Sequence, residues 1–264
     1  MKKPLLIFIV LLFSSLFTSA QLLHSSTQEF TRDDSLRGSI TPERAWWDLT
    51  YYELRLQVQP ENKFFKGSTT VHYQVLTENQ RMQIDLQPPL YVTKVIEEGK
   101  EISFTKDGAN AYIIQLEKKQ QKGQKGHIVV FYEGHPREAK RAPWDGGVSW
   151  KKDKDGNDFI ATSCQGLGAS VWWPCKDHGF DEPDSGATVS IVVLANMVAV
   201  SNGNLKKIFS NIKNFIMRQF KHFIMLTAII SAFSCQEESI EEFFIKIDIA
   251  SAVSKIFLRI TPGV

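Results

Sequence analysis

Cysteine is scarce in this chain, with three in 264 residues. That excludes a disulfide-dense scaffold, and without matched His spacing it excludes a Cys-based structural metal site. No His is followed by Glu, so the sequence encodes no H-E-x-x-H helix to hold a catalytic metal. Neither sign of charge dominates: 31 basic and 29 acidic side chains leave a net charge of +2. Nucleic-acid binding needs a concentrated basic face, and this balance does not supply one. Lys118, Lys119, Lys122 and Lys125 sit among Gln and Gly and read as a solvated turn. Unbroken apolar runs fall short of the roughly 20 residues that a membrane-spanning helix needs.

What remains has the apolar (43%) and charged (23%) content of a globular protein. The length allows one large domain or two small ones. The first segment predicts an export signal over residues 1–20. Lys2 and Lys3 form a positive start, Leu5 to Phe13 is apolar, and Thr18-Ser19-Ala20 offers a cleavage site before Gln21. The competing reading is a membrane anchor, for which the run is short. Export places the mature chain in a periplasm or outside the cell, with no transmembrane span after cleavage. There Cys164 and Cys175 could pair or stay as buried thiols. Residues 21–44 are polar and read as a linker, and Thr41-Pro42-Glu43 marks the start of a domain.

From Trp46 the pattern has period two. Leu54-Arg55-Leu56-Gln57-Val58 alternates, which predicts a strand with one buried face. Val71, Tyr73 and Val75 oppose Thr70, His72 and Gln74 in the next strand. Met82, Ile84 and Leu86 continue the theme. Short strands follow at Val92–Ile96, Ile102–Phe104, Ala111–Leu116 and Ile128–Tyr132, divided by Gly and Pro turns. The fold class is therefore all-β, a saddle-like sandwich of short, mainly antiparallel strands. No helical periodicity competes before residue 200.

Lys151 to Asp158 spaces its Asp residues like a calcium loop. Gly156 comes too early and no Glu closes the loop, so a polar hairpin tip is the better reading. Beyond about residue 205 the character changes. Met217 to Lys221 is basic, Phe223 to Phe233 is largely apolar, and Ser234-Cys235 follows. Residues 217–235 look like a lipoprotein signal in mid-chain. Residues 206–264 are read as an atypical tail with a short helix, arising from a frameshift or fusion.

The densest stretch is Thr162-Ser163-Cys164-Gln165-Gly166, followed by Trp173-Pro174-Cys175-Lys176-Asp177 and Asp181-Glu182-Pro183-Asp184. Together with Tyr51-Tyr52-Glu53-Leu54-Arg55-Leu56, Ile84-Asp85-Leu86, Pro143-Trp144-Asp145-Gly146-Gly147 and Ala199-Val200-Ser201-Asn202-Gly203, it resembles the N-terminal domain of M1-family, aminopeptidase N-like zinc peptidases of a bacterial branch. The resemblance covers residues 45–205.

That resemblance implies a β-saddle packed on a zinc-binding catalytic domain, which would be its missing packing partner. Zinc is the family's cofactor, and none is expected in this chain. The implied substrate contacts are Gln165 and Gly166, with Gln165 beside the first side chain or free amine of a peptide. A neutral amide can donate and accept there without titrating. Trp172, Trp173 and Pro174 are expected to pack at the domain interface, and His178 to sit on a turn. No catalytic or metal-binding residue is expected here, so the chain reads as a fragment of an exported metallo-aminopeptidase, inactive alone. Two other readings stand beside it: a free-standing peptide- or protein-binding β-module, and a carbohydrate-binding module stacking sugars on Trp144, Trp150 and Trp172.

Overall fold

Alternating side chains become paired strands with one wet and one dry face. The computed structural model describes residues 29–194, 197–210, 242–249 and 256–260. The chain divides into Met1–Thr31 and Arg32–Val264. Only residues 29–31 of the first unit are described, and every strand belongs to the second. The strands run in chain order as β1 (Trp47–Gln59), β2 (Phe64–Val75), β3 (Asn79–Asp85), β4 (Tyr91–Glu97) and β5 (Lys100–Ile102). Next come β6 (Phe104–Asp107), β7 (Ala111–Gln120), β8 (Lys125–Gly134), β9 (Gly147–Lys152) and β10 (Asp158–Ser163). The described residues end with β11 (Ala187–Leu194), β12 (Met197–Ser201), β13 (Asn204–Ser210), β14 (Glu242–Ile249) and β15 (Ile256–Ile260).

The long hairpin β1–β2 pairs from Trp47↔Val75 to Gln59↔Phe64. Leu54, Leu56 and Val58 of β1 are buried, as are Val71, Tyr73 and Val75 of β2, while Thr70, His72 and Gln74 are half-exposed. Each such aliphatic side chain stabilises the fold by about 1.5–3 kcal/mol. The hairpin lies at the middle of an eight-stranded sheet, ordered β13-β14-β11-β1-β2-β8-β4-β5. Its neighbours are antiparallel except β1 and β11, which pair in parallel from Tyr52↔Ala187 to Gln57↔Val192. A second sheet is ordered β12-β15-β10-β9 and a third β3-β7-β6. Their inner faces share one apolar core that includes Trp46, Trp47, Tyr73, Ile84, Ile114 and Trp172.

The all-β expectation is met, and one part of the sequence reading changes. The polar stretch before Ala45 is not all linker. Arg32–Gly38 and Pro42–Ala45 are short helices, with Leu36 and Arg44 buried. The first of them carries Asp33 and Asp34 in its first turn and Arg37 in its last, the charge order that suits a helix dipole. Beyond residue 206 the described residues are strands, and β14 and β15 pair within the two larger sheets. The export signal (1–20) and the 217–235 segment lie outside the described residues. Among the described residues no helix is long and apolar enough to cross a membrane.

Candidate functional site

The stretch that carried most of the sequence signal folds as a braced loop between β10 and β11. Its brace begins in β3, where Asp85 pairs with Cys175 across an isolated antiparallel bridge. The two backbones exchange bonds, Asp85 N–H to Cys175 O at 2.8 Å and Cys175 N–H to Asp85 O at 3.1 Å. The Asp85 carboxylate accepts from Arg44 Nη2 at 2.6 Å, Gln83 Nε2 at 2.8 Å and the Asp177 N–H at 3.2 Å. Burial pushes the Asp85 carboxyl up, and the Arg44 charge and these donors pull it back. Arg44 is itself wholly buried and also donates to the carbonyls of Leu36 and Ser39.

Asp177 passes the brace on. Its carboxylate accepts from the N–H groups of Ala169 and Ser170, each at 3.3 Å, and from the Ser170 hydroxyl. Gln87 Nε2 bonds the Leu167 carbonyl at 2.6 Å and Ser170 Oγ at 2.8 Å. The Cys164 carbonyl accepts from Leu167 and Gly168 N–H at 3.1 and 3.0 Å, which closes a tight turn. Gln165 and Gly166 form the exposed tip of that turn. Gly166 has φ +70°, and its carbonyl accepts from Arg37 Nη2 at 2.8 Å. The backbone under Gln165 is thus tied at several points, while its side chain faces solvent.

Lys176 points the other way. Its ammonium is buried, bonds the Trp47 carbonyl at 2.6 Å, pairs with Asp181 and lies 4.0 Å from the Trp47 ring centroid. Burial lowers the Lys176 pKa, and the bond to Asp181 opposes that shift. Tyr52 Oη accepts the Lys176 N–H at 2.8 Å, and burial raises the phenol well above its ordinary range. A cleft of about 260 Å³ opens here, lined by Tyr52, Trp173, Cys175, Lys176, His178 and Asp181 among others.

Residues 49–227 match the Peptidase M1 N-terminal domain family. The chain belongs to that family. Its fold resembles solved M1 zinc metallopeptidases. One from Deinococcus radiodurans is 16% identical with a TM-score of 0.57, over 81% of this chain and 42% of that one. A mutant of the Deinococcus radiodurans enzyme bound to a Tyr-Ser-Ala substrate is 17% identical, TM-score 0.58, over 85% and 45%. A two-domain M1 enzyme mutant bound to L-tryptophan is 16% identical, TM-score 0.59, over 85% and 45%. No curated protein matches the chain. The M1 N-terminal domain chain therefore spans less than half the length of these relatives.

Within this M1 N-terminal domain the site residues read from sequence separate. Gln165 and Gly166 share the exposed tip. Trp172 and Trp173 do not form an open surface: they are 0% and 4% exposed, and Trp173 packs edge-on to Tyr52 at 4.8 Å. Pro174 is buried beside them. Large rings in a small β-domain gain more by filling its own core than by waiting for a partner. The same burial removes Trp172 as a sugar platform, and Trp150 is half-buried against Phe65. Cys164 and Cys175 remain thiols, and burial pushes the Cys175 thiol well up, away from nucleophilic use. His178 is on a turn-flanking stretch as expected, with Nε2 3.2 Å from the Gly38 carbonyl.

The Lys151–Asp158 segment is the tip of the β9–β10 hairpin. Asp153 Oδ1 accepts from the Asp155 and Asn157 N–H groups at 2.9 Å each, so that oxygen is spent on the turn. Among the described residues no group of three or more His, Cys, Asp or Glu is placed to hold a metal ion. Sequence reading missed Arg37, Arg44 and Asp85 as supports of the Gln165 turn. The available signal was Asp85 itself, a lone charge between the apolar residues Ile84 and Leu86.

Proposed function

We propose that this chain supplies the substrate-cleft edge of an exported zinc metallo-aminopeptidase. In this reading Gln165 and Gly166 orient the amino end of a peptide. Peptide hydrolysis belongs to a zinc-holding catalytic domain, with which this domain packs. The observation that carries the reading is the Gln165 turn: an exposed amide on a backbone tied down by Asp85, Asp177, Gln87 and Arg37. Ordering costs are met in advance at such a tip, which favours recognition of a small polar group. An amide can take the peptide amine as acceptor and a peptide carbonyl as donor. Export rests on the residue 1–20 pattern.

The test uses aminoacyl-p-nitroanilides and zinc. The chain alone is expected to show no turnover. Turnover is expected when an M1 catalytic domain is supplied in trans, and Gln165→Ala is expected to cut kcat/KM by roughly tenfold, equivalent to about 1.4 kcal/mol. Chelator-sensitive turnover by the chain alone would overturn the division of labour. An unchanged kcat/KM in Gln165→Ala would overturn the role of the turn. Peptide binding by the chain with no gain on adding the catalytic domain would favour the free-standing binding module instead.

A further inference from the structure

Two exposed tips stand side by side on this domain. Gln165 occupies one. Trp144, 80% exposed, occupies the other. Their loops touch on both flanks. Ser163 Oγ, before Gln165, donates to the Pro143 carbonyl, before Trp144, at 2.9 Å. After the two tips, Gly146 meets Leu167: a Cβ on Gly146 would lie 2.7 Å from the Leu167 side chain, so only Gly allows the approach.

The Trp144 loop is held by hydrogen bonds of its own chain. The Asp145 carboxylate accepts from the Lys140 and Arg141 N–H groups at 2.7 and 2.8 Å. The Trp144 N–H bonds the Arg141 carbonyl at 2.9 Å, and Arg137 Nε bonds the Gly146 carbonyl at 3.2 Å. Of the six Trp residues, Trp46, Trp47, Trp172 and Trp173 are at most 4% exposed and Trp150 is half-buried. Trp144 alone presents its indole to water. A large ring held out on a preordered loop offers contact area at small entropic cost, which is how paratope aromatics work.

We infer that Trp144 is a specificity-determining residue that packs on an apolar or aromatic side chain near the amino end of a peptide held at Gln165. The inference rests on the peptide-orienting role proposed for Gln165 and adds the second half of that site. Gln165 fixes the polar end; the indole face selects what lies beside it.

The experiment is an NMR titration of the full chain with Phe-Ser-Ala, Ser-Ser-Ala and N-acetyl-Phe-Ser-Ala. The Trp144 indole signal is assigned by its loss in Trp144→Phe, and the buried indole signals report that each variant is folded. Phe-Ser-Ala is expected to shift the Trp144 indole and to bind roughly 3–10-fold tighter than Ser-Ser-Ala. Trp144→Ala is expected to bring the two within about twofold of each other, and Trp144→Phe to keep part of the preference. If the Gln165 amide moves while the Trp144 indole stays still and both peptides bind equally, this inference falls and the Gln165 reading stands. If neither signal moves with any peptide, both fall. Preferential binding of the acetylated peptide, with the indole still shifted, supports Trp144 and overturns the amine contact at Gln165.

Discussion

Arg44 and Asp85 form an ion pair at 2.6 Å with side chains 0% and 5% exposed. They stand 41 residues apart in sequence and join the pre-strand helix to the end of β3. A charge pair this deep gains little over apolar residues of the same volume, but removing one partner strands the other. Arg44→Met is therefore expected to cost about 3–5 kcal/mol, because Asp85 loses the charge and the hydrogen bond that offset its burial. Asp85→Asn keeps one acceptor oxygen, for Arg44 and Asp177, and loses the one that Gln83 uses; Arg44 retains the Leu36 and Ser39 carbonyls, so the expected cost is less, about 1–3 kcal/mol. Urea unfolding midpoints at neutral pH decide it. Equal and small losses in both variants would show that the pair does not brace the loop.

Gly168 and Asp177 set the next prediction. Gly168 has φ +79°, and a Cβ there would lie 2.3 Å from both Asp177 carboxylate oxygens. Gly168→Ala therefore combines a conformation disfavoured for L-residues with displacement of the carboxylate that caps Ala169 and Ser170. The expected loss is about 1–3 kcal/mol. Amide hydrogen exchange should speed up at Ala169 and Ser170 while the β1–β2 hairpin stays protected. Uniform acceleration across the domain would mean that the turn is not a separate local unit.

How much of the fold and the site was readable beforehand depended on the range of the interaction. The β1 and β2 faces follow from period two alone, because the strand repeat places Leu54, Leu56 and Val58 on one side whatever the partner. The parallel pairing of β1 with β11 does not: Tyr52 and Ala187 meet only through the folded topology. The Arg32–Gly38 helix was hidden because Leu36 is its one buried residue, too little for a 3.6-residue period. For Trp172 and Trp173 the composition marked an anchoring site but not its direction, and the rings turned inward. The Gln165 turn was legible as a motif. Its supports were not, since Arg37, Asp85 and Gln87 reach it from distant segments.

Lys176 offers a test of the cleft wall. Its buried ammonium satisfies the Trp47 carbonyl and Asp181, which also accepts the Leu49 N–H at 3.2 Å. Lys176→Met keeps most of the volume and removes the charge, leaving Asp181 buried with one backbone donor. The expected cost is about 3–5 kcal/mol. Combining it with Asp181→Asn should recover part of the loss, with a coupling of about 0.5–3 kcal/mol in a double-mutant cycle. Lys176→Arg should not rescue, because a planar fork does not fit a site shaped for a point charge over the Trp47 ring. Full stability of Lys176→Met would show that this pair does not hold the cleft wall.

Asp145 gives the pH dependence of the Trp144 loop. Desolvation alone pushes its carboxyl up, but the N–H groups of Arg141 and Lys140 and the charge of Arg137 outweigh it and hold the pKa below the usual range. The folded value is thus lower than the unfolded value of about 3.9. Between the two the unfolded chain binds more protons, so stability rises with pH across that window. The contribution is fully present above the unfolded value and is lost as pH falls through the folded one. Asp145→Asn removes the titrating group and one of the two acceptors. Its stability deficit against the wild type is expected to be constant from neutral pH down to about pH 4–5 and to shrink below that, as protonation takes the same bonds from the wild type. Paired urea midpoints across an acid series measure the deficit, and a deficit that does not change with pH would show that the carboxylate charge is not what orders the loop.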